Sequence, residues 1–157
     1  MVGSSFISSN TKLLIRETLT IGNQVRIGFD SFIMDSNDHY QVDVDNRFIH
    51  SASEPIFIGN WNWLGYRTYV KKGTITPDYF MTAAPCSVLT KDYSTMKKGT
   101  VVGGIPAKVI KETDNIIIFN YTNESKVRRY FKEHPQIKSV STDYFDEDIN
   151  RFCEYTF

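Results

Sequence analysis

The chain has 157 residues, enough for one domain with a real core. Its 18 Lys plus Arg balance 18 Asp plus Glu, so the formal net charge is zero. That excludes general electrostatic affinity for nucleic acid or an anionic membrane and leaves any anion site to a local cluster. Aromatic residues make up 14%, which favours strands over helices and often marks sugar- or partner-binding surfaces. Cys86 and Cys153 fit no metal-ligand spacing, as expected in a reducing compartment. No apolar run approaches membrane-spanning length and no signal-peptide core opens the chain, so it reads as soluble and cytoplasmic.

From the N-terminus, a step of six picks out Ile15, Ile21, Ile27 and Ile33. The step resumes at Ile58 and continues through Leu64, Val70, Thr76, Thr82 and Val88. Small residues often follow: Gly22, Gly28, Gly59, Gly65 and Ala83. Four positions after each comes a second inward candidate: Leu19, Val25, Ser31, Asn62, Thr68, Thr74, Phe80 and Cys86. A period of six suits neither an amphipathic helix nor a hairpin meander, whose turns recur every 8–12 residues. It predicts an all-β solenoid, a coil of short flat faces stacked in parallel, with small residues at tight corners.

Two stretches break the register. Residues 35–53 (DSNDHYQVDVDNRFIHSAS) are polar and carry two of the three histidines, the composition of a functional loop ejected from a rigid scaffold. Tyr93 to Gly99 is the second, polar and lysine-containing. The repeat ends near residue 112, and residues 113–157 form a small C-terminal α/β extension. There, residues 115–120 read as a strand, and Asn123 caps a helix that runs to about His134 and is ended by Pro135. Residues 143–157 read as a short helix. These pieces are expected to cover the open C-terminal end of the coil. The first coil lacks an obvious cover, so it is irregular, preceded by further chain, or covered by a neighbouring subunit.

Four segments in order carry a resemblance. IFIGNWNWLG (Ile56 to Gly65), SVLTKD (Ser87 to Asp92) and GTVVGGIPAKVIKE (Gly99 to Glu112) resemble stretches of the hexapeptide-repeat acyltransferases. DSNDHY (Asp35 to Tyr40) resembles the D-x-D-x-H loop of their sugar and polysaccharide O-acetyltransferase subgroup. The match covers roughly residues 13–112. It implies a left-handed parallel β-helix, a homotrimer, acetyl-CoA as cosubstrate in the cleft between subunits, and a loop histidine as base. It implies no metal.

A sugar hydroxyl attacking a thioester needs a base within hydrogen-bond reach, and imidazole titrates near neutrality. The resemblance points to His39, with Asp35 and Asp38 as carboxylates that orient its ring and stabilise the imidazolium. The competing reading is a solvated loop histidine. His50 reads as a surface histidine, and His134 as a cation at a helix end. Gly65 is the expected main-chain donor to the developing oxyanion. Trp63 matches the family tryptophan and is expected to line the site, whereas Trp61 is assigned to packing or the subunit interface. Ala83 and Ala84 match the small pair beside pantetheine, although the stretch TAAPCSVLTKD is one residue longer than the family pattern and is expected to bulge at Pro85 or Cys86. Thr90, Lys91, Lys108 and Lys111 match positions for the phosphoadenosine end, and Pro106 fixes the turn before Lys108. Ile105 replaces the usual asparagine, and Lys71 and Thr76–Pro77 replace the usual corner residues.

The expected activity is therefore O-acetylation of a sugar or polysaccharide precursor. N-acetylation of an amino-sugar nucleotide is the near alternative, and a non-catalytic scaffold the third. A zinc enzyme on the same coil needs three histidine ligands, and only His39 and His50 lie near it.

Overall fold

A computed structural model of the protein describes residues 5–83, 85–113, 116, 118 and 124–145. Three parallel sheets form the body. The first stacks β1 (Phe6–Ile7), β4 (Arg26–Ile27), β9 (Trp63–Leu64), β12 (Met81–Thr82) and β14 (Thr100–Gly103). The second stacks β2 (Lys12–Leu14), β5 (Phe32–Met34), β10 (Tyr69–Val70) and β13 (Val88–Leu89). The third stacks β3 (Leu19–Ile21), β8 (Ile56–Ile58) and β11 (Ile75–Thr76). The chain visits the sheets in rotation, so each circuit lays one three-sided coil on the last. An antiparallel strand, β15 (Lys108–Glu112), closes the first sheet against β14.

The inward column follows the six-residue step for most of its length. Ile27, Ile33, Ile58, Leu64, Val70, Thr76 and Thr82 are buried. The second inward positions Val25, Ser31, Asn62, Thr68, Thr74 and Phe80 are buried too. Polar groups are tolerated there because each buried hydroxyl finds a corner carbonyl. Ser31 donates to Gly28, Thr68 to Gly65 and Thr74 to Lys71, each three residues back. The small corner residues are sterically required: a Cβ on Gly28 would lie 2.4 Å from the Tyr66 nitrogen, and one on Gly59 2.5 Å from the Pro77 oxygen.

Three expectations are corrected. Ile15 is not in the column. Leu13 pairs with Ile33, and Ile15 lies outside β2, exposed. The first coil is two residues longer than the regular coil of the middle of the stack, with twenty steps from Leu13 to Ile33 against eighteen from Ile58 to Thr76. The second correction follows the extra residue near Pro85. After it the register slips by one, so Leu89 and Ser87 are buried in place of Val88 and Cys86, and Ser87 reaches four residues back to the Ala83 carbonyl. Cys86 absorbs the turn in a left-handed conformation, φ 65°.

The third concerns the C-terminal end of the coil. Tyr93 is buried with its ring 5.3 Å from Phe80, and Met96 and Ala107 join the same cluster, so the supposedly polar second break supplies core. The helix α1 (Glu124–Glu133) stops before Pro135 as expected but buries no residue. Its Glu124 is 3.5 Å from Arg26, and Ile118 packs on Trp61 and Met81, so the extension meets the first sheet. A short 3-10 helix, Thr142–Phe145, sets the rings of Tyr144 and Phe145 edge-on to Tyr130. Asn123, most of the strand expected at 115–120, and residues 146–157 lie outside the described residues.

Candidate active site

Residues 36–53 leave the coil as a hairpin, β6 (Gln41–Asp43) against β7 (Phe48–His50). Its neck is closed by a Ser36–Ser53 bridge, by the Asn37 amide donating to the Ala52 carbonyl (2.8 Å), and by the Glu54 amide donating to the Asp35 carbonyl (2.9 Å). Asp43 holds the hairpin turn by accepting from the Asp45 and Asn46 amides, and those bonds, led by the Asn46 side chain, hold its carboxyl below the usual range. His39 lies between neck and hairpin, exposed, and among the described residues its ring makes no hydrogen bond.

Both expected carboxylate partners are turned elsewhere. Asp35 is fully buried and accepts three backbone N–H bonds, from Arg16 (2.8 Å), Glu17 (2.7 Å) and Thr18 (2.9 Å). The two extra residues of the first coil lie at this corner: seven steps separate Leu13 from Thr20, against five from Val70 to its counterpart Ile75. The lengthened corner wraps the carboxylate. Asp38 is held by the Arg16 guanidinium, Nε at 2.9 Å and Nη2 at 3.3 Å, a two-pronged contact. That bond keeps the Asp38 carboxyl below the usual carboxylate range, and the charge of His39 contributes in the same direction. Arg16 was not legible as a site residue, because nothing in the first coil's sequence announces a longer corner.

Gly65 was the expected oxyanion donor. Its N–H is buried and already donates to the Thr82 hydroxyl at 2.7 Å. Ala83 is half-buried, and its N–H donates to the Val102 carbonyl. Ala84 lies outside the described residues. Trp63 is 49% exposed on the outer face of the first sheet, between Arg26 and Met81. Trp61 is buried against Tyr79, a packing residue as expected.

Thr90 and Lys91 stand at the corner that follows the second sheet, one coil above Lys71 and Lys72, and Lys91 lies 5.5 Å from the Tyr93 ring centroid. Lys108 and Lys111 are exposed on β15 in the first sheet, with Pro106 in the turn before them. Lys91 thus stands at a corner beyond the second sheet, and Lys108 and Lys111 on the first sheet. His50 pairs across the hairpin with Gln41, and the His134 ring contacts the Tyr130 carbonyl at the end of α1. Among the described residues, no group of three or more His, Cys, Asp or Glu is disposed to hold a metal ion, and no helix is long and apolar enough to cross a membrane.

No protein-family model matches the chain, and no curated protein matches it. Solved structures do. The chain is similar to the polySia-specific acetyltransferase NeuO, at 20% identity over 86% of this chain and 74% of that one, TM-score 0.54. It is similar to the polysialic acid O-acetyltransferase OatWY, at 24% identity over 94% of this chain and 67% of that one, TM-score 0.53. It is also similar to a maltose O-acetyltransferase from Clostridium difficile 630, at 21% identity over 69% and 66%, TM-score 0.52. The protein shares the fold of these acetyltransferases.

Proposed function

We propose that the protein belongs to the hexapeptide-repeat acyltransferases, that its coil is the left-handed parallel β-helix of that family, and that it transfers an acetyl group from acetyl-CoA to a hydroxyl of a sugar or polysaccharide precursor. The observation that carries this reading is His39, exposed and, among the described residues, free of hydrogen bonds, at the root of a hairpin whose neck is fixed by buried Asp35. A base must be open to a substrate yet held by a rigid frame. His39 takes the hydroxyl proton as the oxygen attacks the thioester carbonyl. The C–O bond forms, the C–S bond breaks, and the thiolate leaves to be protonated.

Trp63, Ala83, Thr90, Lys91, Pro106, Lys108 and Lys111 are the proposed acetyl-CoA residues. Ala83 and His39 lie at opposite ends of the second sheet's strands, which speaks for a site shared between copies. The outer face of that sheet supports the same reading: Leu14 is exposed, and Phe32, Met34, Tyr69 and Val88 are only half-buried. We propose a homotrimer, working in the cytoplasm. The test is thiol release from acetyl-CoA across a panel of neutral, acidic and amino sugars, with the melting temperature followed in parallel. Release with a hydroxyl acceptor and a rise in melting temperature with acetyl-CoA are expected. Release only with amino sugars would move the reading to N-acetylation. Neither release nor a thermal shift would overturn it in favour of a scaffold.

A further inference from the structure

Beneath the His39 loop lies a second polar feature. Asn37 and Glu54, from the two sides of the neck, face Lys71 and Lys72 of one coil and Thr90 of the next around a cavity of about 170 Å³. A water occupies about 30 Å³ of liquid, so the space suits a small anionic group with its hydration.

The charges in this pocket are unequally engaged. Lys72 lies 2.9 Å from Glu54 Oε1, donates to the Ser51 carbonyl, and has a side chain only 16% exposed. Glu54 is thereby neutralised and pinned to the wall. Its other oxygen sits over Gly73, where an added Cβ would come within 2.3 Å of it. Lys71 has no such partner. Among the described residues its ammonium group makes neither ion pair nor hydrogen bond, and the Asn37 amide group is also unengaged. Thr90 completes the lining, its backbone N–H donating to the Tyr93 hydroxyl at 3.4 Å. The pocket therefore presents one uncompensated cation and neutral donors, with its single carboxylate already satisfied.

We propose that this pocket binds an anion, a carboxylate or phosphate group, with Lys71 as its principal counter-charge. Asn37 is two residues from His39 along the chain, so the anion is carried by a substrate of the proposed reaction. That last step rests on the acetyltransferase reading, whereas anion binding by the pocket does not. Two sources share the chemistry: an acidic sugar acceptor and a phosphate of CoA.

The test follows backbone amide shifts of the full chain during titration with inorganic phosphate. Saturable shifts at Asn37, Lys71, Lys72 and Thr90 in the millimolar range are expected. Lys71→Gln should weaken the affinity roughly tenfold, as loss of the one free charge requires. Thr90→Val should weaken it about two- to threefold. Lys98→Gln, whose lysine sits 3.9 Å from the Tyr79 ring centroid, should leave it unchanged. Absence of saturable shifts, or equal affinity in folded Lys71→Gln and wild type, would overturn the pocket. Competition then separates the sources. Displacement of phosphate by glucuronate and not glucose assigns the acceptor carboxylate, and displacement by CoA and not 3′-dephospho-CoA assigns the cosubstrate. Competition by neither overturns the link to the reaction. Phosphate binding without any effect of acetyl-CoA on the melting temperature would leave the pocket standing and sink the acetyltransferase reading.

Discussion

In the coil, Ile33, Leu64 and Phe80 are fully buried, while in the hairpin Val44 is 81% and Ile49 70% exposed. The coil gains its order from stacking: every circuit covers the one before, and even its buried hydroxyls have fixed acceptors. Among the described residues, the two strands of the hairpin pair only with each other. Only its neck is tied down, through Asp35 and the first coil's long corner. A hairpin held firmly at its root that exposes Val42, Val44, Phe48 and Ile49 is built to meet something outside the chain. The same contrast separates Asp35 from Asp38, three positions apart. One is a buried structural carboxylate; the other is an exposed partner of Arg16.

The contrast between coil and hairpin depends most on Asp35. Asp35→Ala removes a fully buried carboxylate that accepts three backbone N–H bonds, and hydrogen bonds to a charged group contribute about 1.5–3 kcal/mol each, so denaturant melts should show a loss on the order of 3 kcal/mol or more. A loss below 1 kcal/mol would mean the neck is not the frame of the loop. Next in size, Gly28→Val drives a side chain into the Tyr66 backbone and should cost roughly 1–3 kcal/mol by the same measurement. In the hairpin, Phe48→Ser should change chain stability by no more than about 0.5 kcal/mol, yet lower the oligomer fraction in analytical ultracentrifugation.

The smallest effect concerns pH. Burial pushes the Tyr93 phenol above its ordinary value of 10.0. The fold favours its neutral form, so this contribution is complete below pH 10.0 and is lost as pH rises through the folded value. Tyr93→Phe should therefore remove part of the stability loss seen in melts above pH 10.0.

The stacked coil was legible because a period of six over many steps has few other physical explanations. Its register was less so. Leu13, Leu14 and Ile15 are all aliphatic, and only the unseen length of the next corner decides which one faces inward. The one-residue surplus near Pro85 was visible by comparison with the family pattern, and the slip from Val88 to Leu89 is its consequence. Tyr93 escaped notice because its neighbours are polar, although its burial closes the coil's end. In the site, residue types were readable and pairings were not. Asp35 and Asp38 look alike in sequence, and the amides of residues 16–18 and the Arg16 side chain assign them different work.

In the proposed reaction the fixed neck presents His39 as the base, while the coil binds acetyl-CoA independently of it. The direct measurement is His39→Ala, read as the rate of thiol release and as acetyl-CoA affinity on one preparation. A roughly 100- to 10,000-fold loss of rate is expected, with affinity within about twofold of wild type. A rate within about threefold of wild type would contradict it.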